Sequence, residues 1–118
     1  MTKRVTIYHN PRCSKSRETL ALLQQHGIEP DVVRYLDTPP DADTLTRLIQ
    51  QLGLNSARDL MRKKEEIYQQ LNLANASLTE AQLLQAMIDH PRLIERPIVV
   101  VGQQARIGRP PEQVLEIL

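Results

Sequence analysis

Apolar and polar positions change period several times along the chain. Val5-Thr6-Ile7-Tyr8 alternates, as a half-buried strand does. A polar loop over residues 9–13 leads into residues 14–26, which read as a helix with Leu20, Ala21 and Leu23 on its inner side. Gly27 supplies the left-handed residue that ends such a helix. Val32-Val33-Arg34-Tyr35-Leu36 reads as a second strand. Two strands joined by one crossover helix are expected to pair in parallel and right-handed.

The middle of the chain is helical. Pro39-Pro40-Asp41 breaks and restarts the backbone, and Leu45, Leu48, Ile49 and Leu52 then fall on one helix stripe closed by Gly53. Residues 56–70 suggest two short helical pieces. Thr79-Glu80-Ala81-Gln82 has capping-box spacing, with Leu78 and Leu83 placed as a staple. Leu83, Leu84, Met87 and Ile88 carry that helix to Pro91. The β-branched run Ile98-Val99-Val100-Val101 after Pro97 reads as a buried strand. Residues 102–104 turn, and Ala105-Arg106-Ile107 returns antiparallel. Pro110 is placed to open a last helix carrying Val114, Leu115 and Leu118.

The order β-α-β, a helical block, then β-β-α is the thioredoxin-like α/β pattern: a small mixed sheet with its middle expanded. The chain is expected to form a single domain over residues 1–118, with a helical insert at about 40–92 that shares the core. In such folds the proline before the third strand is often cis and faces the active-site loop, which makes Arg96–Pro97 the candidate bond.

Composition narrows the function. At 118 residues, with 41% hydrophobic and 25% charged residues, one soluble domain is expected. The core must be aliphatic, because Tyr8, Tyr35 and Tyr68 are the only aromatic residues. Fifteen Lys and Arg against fourteen Asp and Glu leave +1, too little for a general nucleic-acid surface. No apolar run approaches the ~18 residues of a membrane span. The first residues show no apolar stretch of a secretory signal. One cysteine cannot build an internal disulfide, and a lone thiol fits a reducing, cytoplasmic setting. Cys13, His9, His26 and His90 are too scattered for a zinc site, and the four glycines form neither a dinucleotide fingerprint nor a phosphate loop.

Cys13 carries the main chemical signal. It stands where a strand passes into a helix, and unpaired N–H groups at a helix start favour an anion, whether a thiolate or an oxyanion substrate. His9, Arg12, Lys15 and Arg17 crowd the same stretch. A lone cysteine is also commonly a buried structural residue. The spacing C-x-x-S, Cys13 to Ser16, leaves no resolving cysteine, so any disulfide-forming cycle requires an external thiol. Ser16 could equally cap the helix. His9 could support the thiolate as a cation or face water. Arg62, Arg96 and Arg109 each flank a predicted element end; an arginine fork suits a tetrahedral oxyanion, though such arginines are mostly solvated.

The segment Tyr8-His9-Asn10-Pro11-Arg12-Cys13-Ser14-Lys15-Ser16-Arg17 resembles the active-site loop of the arsenate reductase family that uses glutathione and glutaredoxin (ArsC-like). The resemblance continues in family order through Tyr35-Leu36-Asp37-Thr38-Pro39-Pro40, Leu60-Met61-Arg62-Lys63-Lys64, Glu95-Arg96-Pro97-Ile98-Val99-Val100 and Arg106-Ile107-Gly108-Arg109-Pro110. It implies Cys13 as the nucleophile toward arsenate. It also implies Arg62, Arg96 and Arg109 as oxyanion ligands, and His9 and Ser16 as residues supporting the thiolate. Glutathione is implied as co-substrate and glutaredoxin as partner, with no bound cofactor or metal. The Arg12, Ser14 and Lys15 variant resembles a particular subgroup. Two other readings stand beside this one: a monothiol glutaredoxin-like thiol transferase, and a non-enzymatic redox regulator that binds RNA polymerase. The preserved arginines argue against the first and Ser16 against the second.

Overall fold

A computed structural model describes residues 4–118. Residues 1–3 of the start, which the single-domain and secretory-signal expectations include, lie outside the described residues. The element order is β1 (Val5–Tyr8), α1 (Ser14–Gln25), β2 (Asp31–Val33), α2 (Ala42–Leu52), α3 (Glu66–Gln70), α4 (Glu80–Asp89), β3 (Ile98–Val101) and β4 (Gln104–Ile107). Short 3₁₀ segments lie at Ala57–Leu60, Pro91–Leu93 and Pro111–Ile117. The chain forms two compact units, one from the residues up to Thr38 together with Arg96–Leu118, the other Pro39–Glu95.

The first unit holds a four-stranded mixed sheet in the order β2-β1-β3-β4. β1 pairs in parallel with β2 and antiparallel with β3, and β3 pairs antiparallel with β4. This is the thioredoxin-like arrangement expected from the element order. The alternation in β1 buries Val5 and Ile7, which join Leu23, Val99, Val101, Val114 and Ile117 in one aliphatic core. Fully burying a side chain such as Ile7 or Leu23 stabilises by roughly 1.5–3 kcal/mol.

Three local expectations are corrected. β2 ends at Val33, not Leu36, because its partner β1 ends at Tyr8, opposite Val33. Beyond it the Arg34 carbonyl accepts the N–H groups of Asp37 and Thr38 in a turn, which buries Tyr35 and leaves Leu36 exposed. On α1, Leu23 is buried and Leu20 packs against the core as expected, with Ser16 and Thr19 also turned inward, while Ala21 is exposed. The final segment is 3₁₀, with Pro111 rather than Pro110 at its start. Three residues per turn puts Pro111, Val114 and Ile117 inward and leaves Leu115 and Leu118 exposed, where an α-helical period had placed them inside.

The second unit follows its sequence signals closely. Asp41 caps α2 through Thr44 N–H, and Gly53 closes it at φ 74°. Thr79 and Gln82 form the capping box of α4. α4 packs against α2 and against the 3₁₀ segments at 57–60 and 91–93, burying Leu45, Leu48, Leu60, Leu83, Met87 and Leu93. No helix among the described residues is long and apolar enough to cross a membrane.

Candidate active site

Strand register assembles the sheet unit's site. Tyr8, the last residue of β1, lies opposite Ile98, the first of β3, and Ile98 lies opposite Ile107, the last of β4. The loop leaving β1, the residues entering β3 and the residues leaving β4 therefore meet at one end of the sheet. Continuing the β3–β4 register sets Pro97 beside Gly108, where Gly108 N–H donates to Pro97 O at 2.9 Å, and then Arg96 beside Arg109. Arg109 Nε donates to Arg96 O at 2.8 Å. The Arg96–Pro97 bond is cis, as expected from its place before β3, and Arg109–Pro110 is cis as well.

Cys13 is the N-cap of α1, in extended conformation, and its thiol is free and half-buried. It is thus not a sealed core cysteine. Arg109 Nη2 lies 3.7 Å from Cys13 Sγ, so this guanidinium carries a full positive charge to the sulfur. Arg96 is 8% exposed, and its Nε and Nη1 are shielded from water. The cations near Cys13 in sequence are engaged differently: Lys15 lies 3.5 Å from Glu18, and Arg17 Nη1 donates to Pro11 O at 3.0 Å.

The loop between β1 and α1 is held by a small network. Ser16 Oγ lies 2.6 Å from His9 Nδ1 and accepts the Asn10 N–H at 3.0 Å. Ser16 is fully buried inside the first turn and is not the cap. Asn10 Oδ1 accepts the Arg12 N–H, and the Asn10 carbonyl accepts the Cys13 N–H, both at 3.0 Å. His9 N–H donates to Val33 O at 2.8 Å. His9 is 6% exposed, so it does not face water. Burial first, then the charges of Arg34 and Arg17, holds its pKa below the usual histidine value, so the cationic ring is disfavoured. With a neutral ring, Nδ1 accepts a hydrogen bond from the Ser16 hydroxyl and the ring proton sits on Nε2, an assignment drawn from the network.

Asn10 escaped the sequence reading, although the dipeptide Asn10-Pro11 carried a turn signal and asparagine commonly bonds backbone two residues on. Gly108 also escaped it. A Cβ there would meet Thr19 Oγ1, and Pro97 Cγ at 2.9 Å, so only glycine lets the chain leaving β4 pass α1 this closely.

Arg62 lies in the helical unit. The backbone there is fixed by Arg62 N–H to Leu93 O at 2.7 Å and by a bridge between Met61 and Ile94. Its Nη1 pairs with the Glu65 carboxylate, and Nε lies 4.0 Å from Glu95. The structure thus groups Cys13, His9, Ser16, Arg96 and Arg109 in the sheet unit, with Arg62 set between two carboxylates in the other. Among the described residues, no cluster of three His, Cys, Asp or Glu is placed to hold a metal.

A model of the ArsC family matches residues 8–117. The chain is 67% identical over 118 residues to an uncharacterized Escherichia coli (strain K12) protein, YfgD, covering 100% of this chain and 99% of that one. It is 53% identical over 114 residues to an arsenate reductase of Haemophilus influenzae, covering 97% and 98%. The solved structure of an arsenate reductase from Vibrio cholerae superposes with a TM-score of 0.97 at 61% identity, covering 100% of both chains.

Proposed function

Because the chain belongs to the ArsC family, we propose that it is an arsenate reductase of the glutathione- and glutaredoxin-dependent type, acting in the cytoplasm. The observation that carries this reading is the guanidinium of Arg109 set 3.7 Å from the lone thiol at the head of α1. A nucleophile beside a planar donor fork suits an oxyanion that must be both held and attacked.

In this reading Arg109, Arg96 and Arg62 bind arsenate, the last assigned from its matching family segment. Cys13 Sγ displaces a water from arsenic and forms a sulfur–arsenic(V) bond. A glutathione thiolate then attacks Cys13 Sγ. The sulfur–arsenic bond breaks with its electron pair on arsenic, and arsenite leaves in the +3 state. Cys13 remains as a mixed disulfide with glutathione, and a glutaredoxin thiolate takes the glutathione sulfur and frees Cys13. The count of one cysteine supports the external thiol, since no second thiol in the chain can resolve the intermediate. His9 and Ser16 act by position: their pairing with each other and with Asn10 N–H shapes the loop that presents Cys13.

The test is an NADPH-coupled assay with glutathione, glutaredoxin and its reductase, run with and without arsenate on wild type and Cys13→Ser. Arsenate-dependent NADPH loss that disappears in Cys13→Ser is expected. Turnover of a small glutathione mixed disulfide without any response to arsenate would make the protein a thiol transferase. Silence on both, with capture of RNA polymerase, would make it a regulator.

A further inference from the structure

A cleft of about 380 Å³ opens beside the loop, lined by His9, Asn10 and Arg12 of that loop and by Arg34, Leu36 and Asp37 of the turn after β2. Its size falls within the ~300–1,000 Å³ of small-molecule sites. We propose that this cleft seats the external thiol, and that it selects a thiol of tripeptide size carrying carboxylates at both ends and an ammonium at one. The inference rests on the external-thiol reading above and adds where the thiol docks and which residues choose it.

Position supports it. The residue after Arg12 is Cys13, so a ligand held along this wall lies against the segment that carries the reactive sulfur. Charge supports it as well. Arg12 and Arg34 bring two fork-shaped donors, and Asp37 brings one acceptor. Two carboxylates and one ammonium are the complement of that set, and glutathione has this pattern with its sulfur between its two ends. Arg34 Nη1 is 4.0 Å from Asp37 Oδ2, and both side chains are more than half exposed. So loose a pair holds Arg34 weakly and leaves its fork open to a carboxylate. Leu36, 37% exposed, offers an apolar contact for the middle of such a ligand. His9 and Arg34 both line the cleft, and the Arg34 charge helps to depress the His9 pKa, after burial. An anionic thiol would be enriched there by the same field.

The experiment reads thiol–disulfide exchange at Cys13 and needs no arsenate. The Cys13 thiolate attacks one sulfur of a symmetric disulfide; a Cys13–sulfur bond forms, and the other half leaves as thiolate with the electron pair. Rates of mixed-disulfide formation are followed by mass spectrometry for oxidised glutathione and for neutral bis(2-hydroxyethyl) disulfide, in wild type, Arg34→Glu, Arg34→Gln and Arg12→Glu. The expected result is a fall of about tenfold in the ratio of the charged to the neutral rate in each Glu variant, less in Arg34→Gln, and a wild-type ratio that declines with added salt. Circular dichroism checks the fold, and the Gln variant carries the test if a charge reversal unfolds the chain. Ratios that match wild type overturn the proposal. So does a Cys13 that reacts with neither disulfide, because the cleft would then not lead to the sulfur. Failure of arsenate turnover alone would remove the reductase reading and leave the ratio to judge the cleft.

Discussion

Ser16 Oγ stands 2.6 Å from His9 Nδ1, in a pair buried seven residues apart in sequence. The same oxygen accepts the Asn10 N–H, so one hydroxyl fastens the start of α1 to both residues that follow β1. Ser16→Ala leaves the His9 nitrogen and the Asn10 N–H without this partner. A loss of about 1–3 kcal/mol is expected from urea denaturation, together with slower thiol-dependent turnover. Unchanged stability would show that water replaces the hydroxyl at no cost.

His9 also predicts a pH response. The unfolded ring takes a proton near the ordinary value of 6.5, while the folded ring, buried and beside Arg34 and Arg17, takes it only at lower pH. Well above 6.5 both states are neutral and the group adds no slope. As pH falls through that value the unfolded state binds the proton first, so stability declines with acidification until the folded ring is protonated too. Denaturation midpoints measured from about pH 7.5 to about pH 5 should fall more steeply in wild type than in His9→Gln. Parallel curves would remove His9 as a source of acid sensitivity.

Arg96→Lys should weaken arsenate binding by about tenfold, because a point ammonium cannot present two parallel donors to a tetrahedral oxyanion. The apparent affinity for arsenate, set beside the denaturation midpoint, separates lost binding from lost folding. An unchanged affinity would show that Arg96 is not a ligand.

Gly108→Ala forces a methyl group onto Thr19 and Pro97. The Thr19 hydroxyl is tied to Lys15 O at 2.8 Å inside α1, so it cannot swing aside freely. A loss of about 1–3 kcal/mol is expected. Gly108→Ala in a Thr19→Ala background should lose less than the single changes predict when summed, because the obstructing side chain is gone. Strict additivity in that double-mutant cycle would move the cause elsewhere.

Much of this architecture is decided by residues only a few positions apart, and those parts were legible. Alternation in Val5–Tyr8 specifies a strand, Asp41 and Gly53 bound α2, and Thr79 with Gln82 starts α4. Each depends on local backbone hydrogen bonds or a local φ preference, so no distant segment is needed to read it. The lone cysteine at a helix start, with no second thiol in the chain to pair with, is equally a property of the sequence. Tertiary structure decided what depends on distant partners. β2 stops where β1 stops pairing, and the last segment turns with period three, against the α-helical period its apolar residues suggested. Arg109 reaches Cys13 across 96 positions because β4 ends at the same end of the sheet as β1, from which the chain enters α1. His9 is held neutral because the fold buries it and sets Arg34 near it. Strand register and burial are set by which surfaces meet, and a residue's neighbours in sequence carry no record of that.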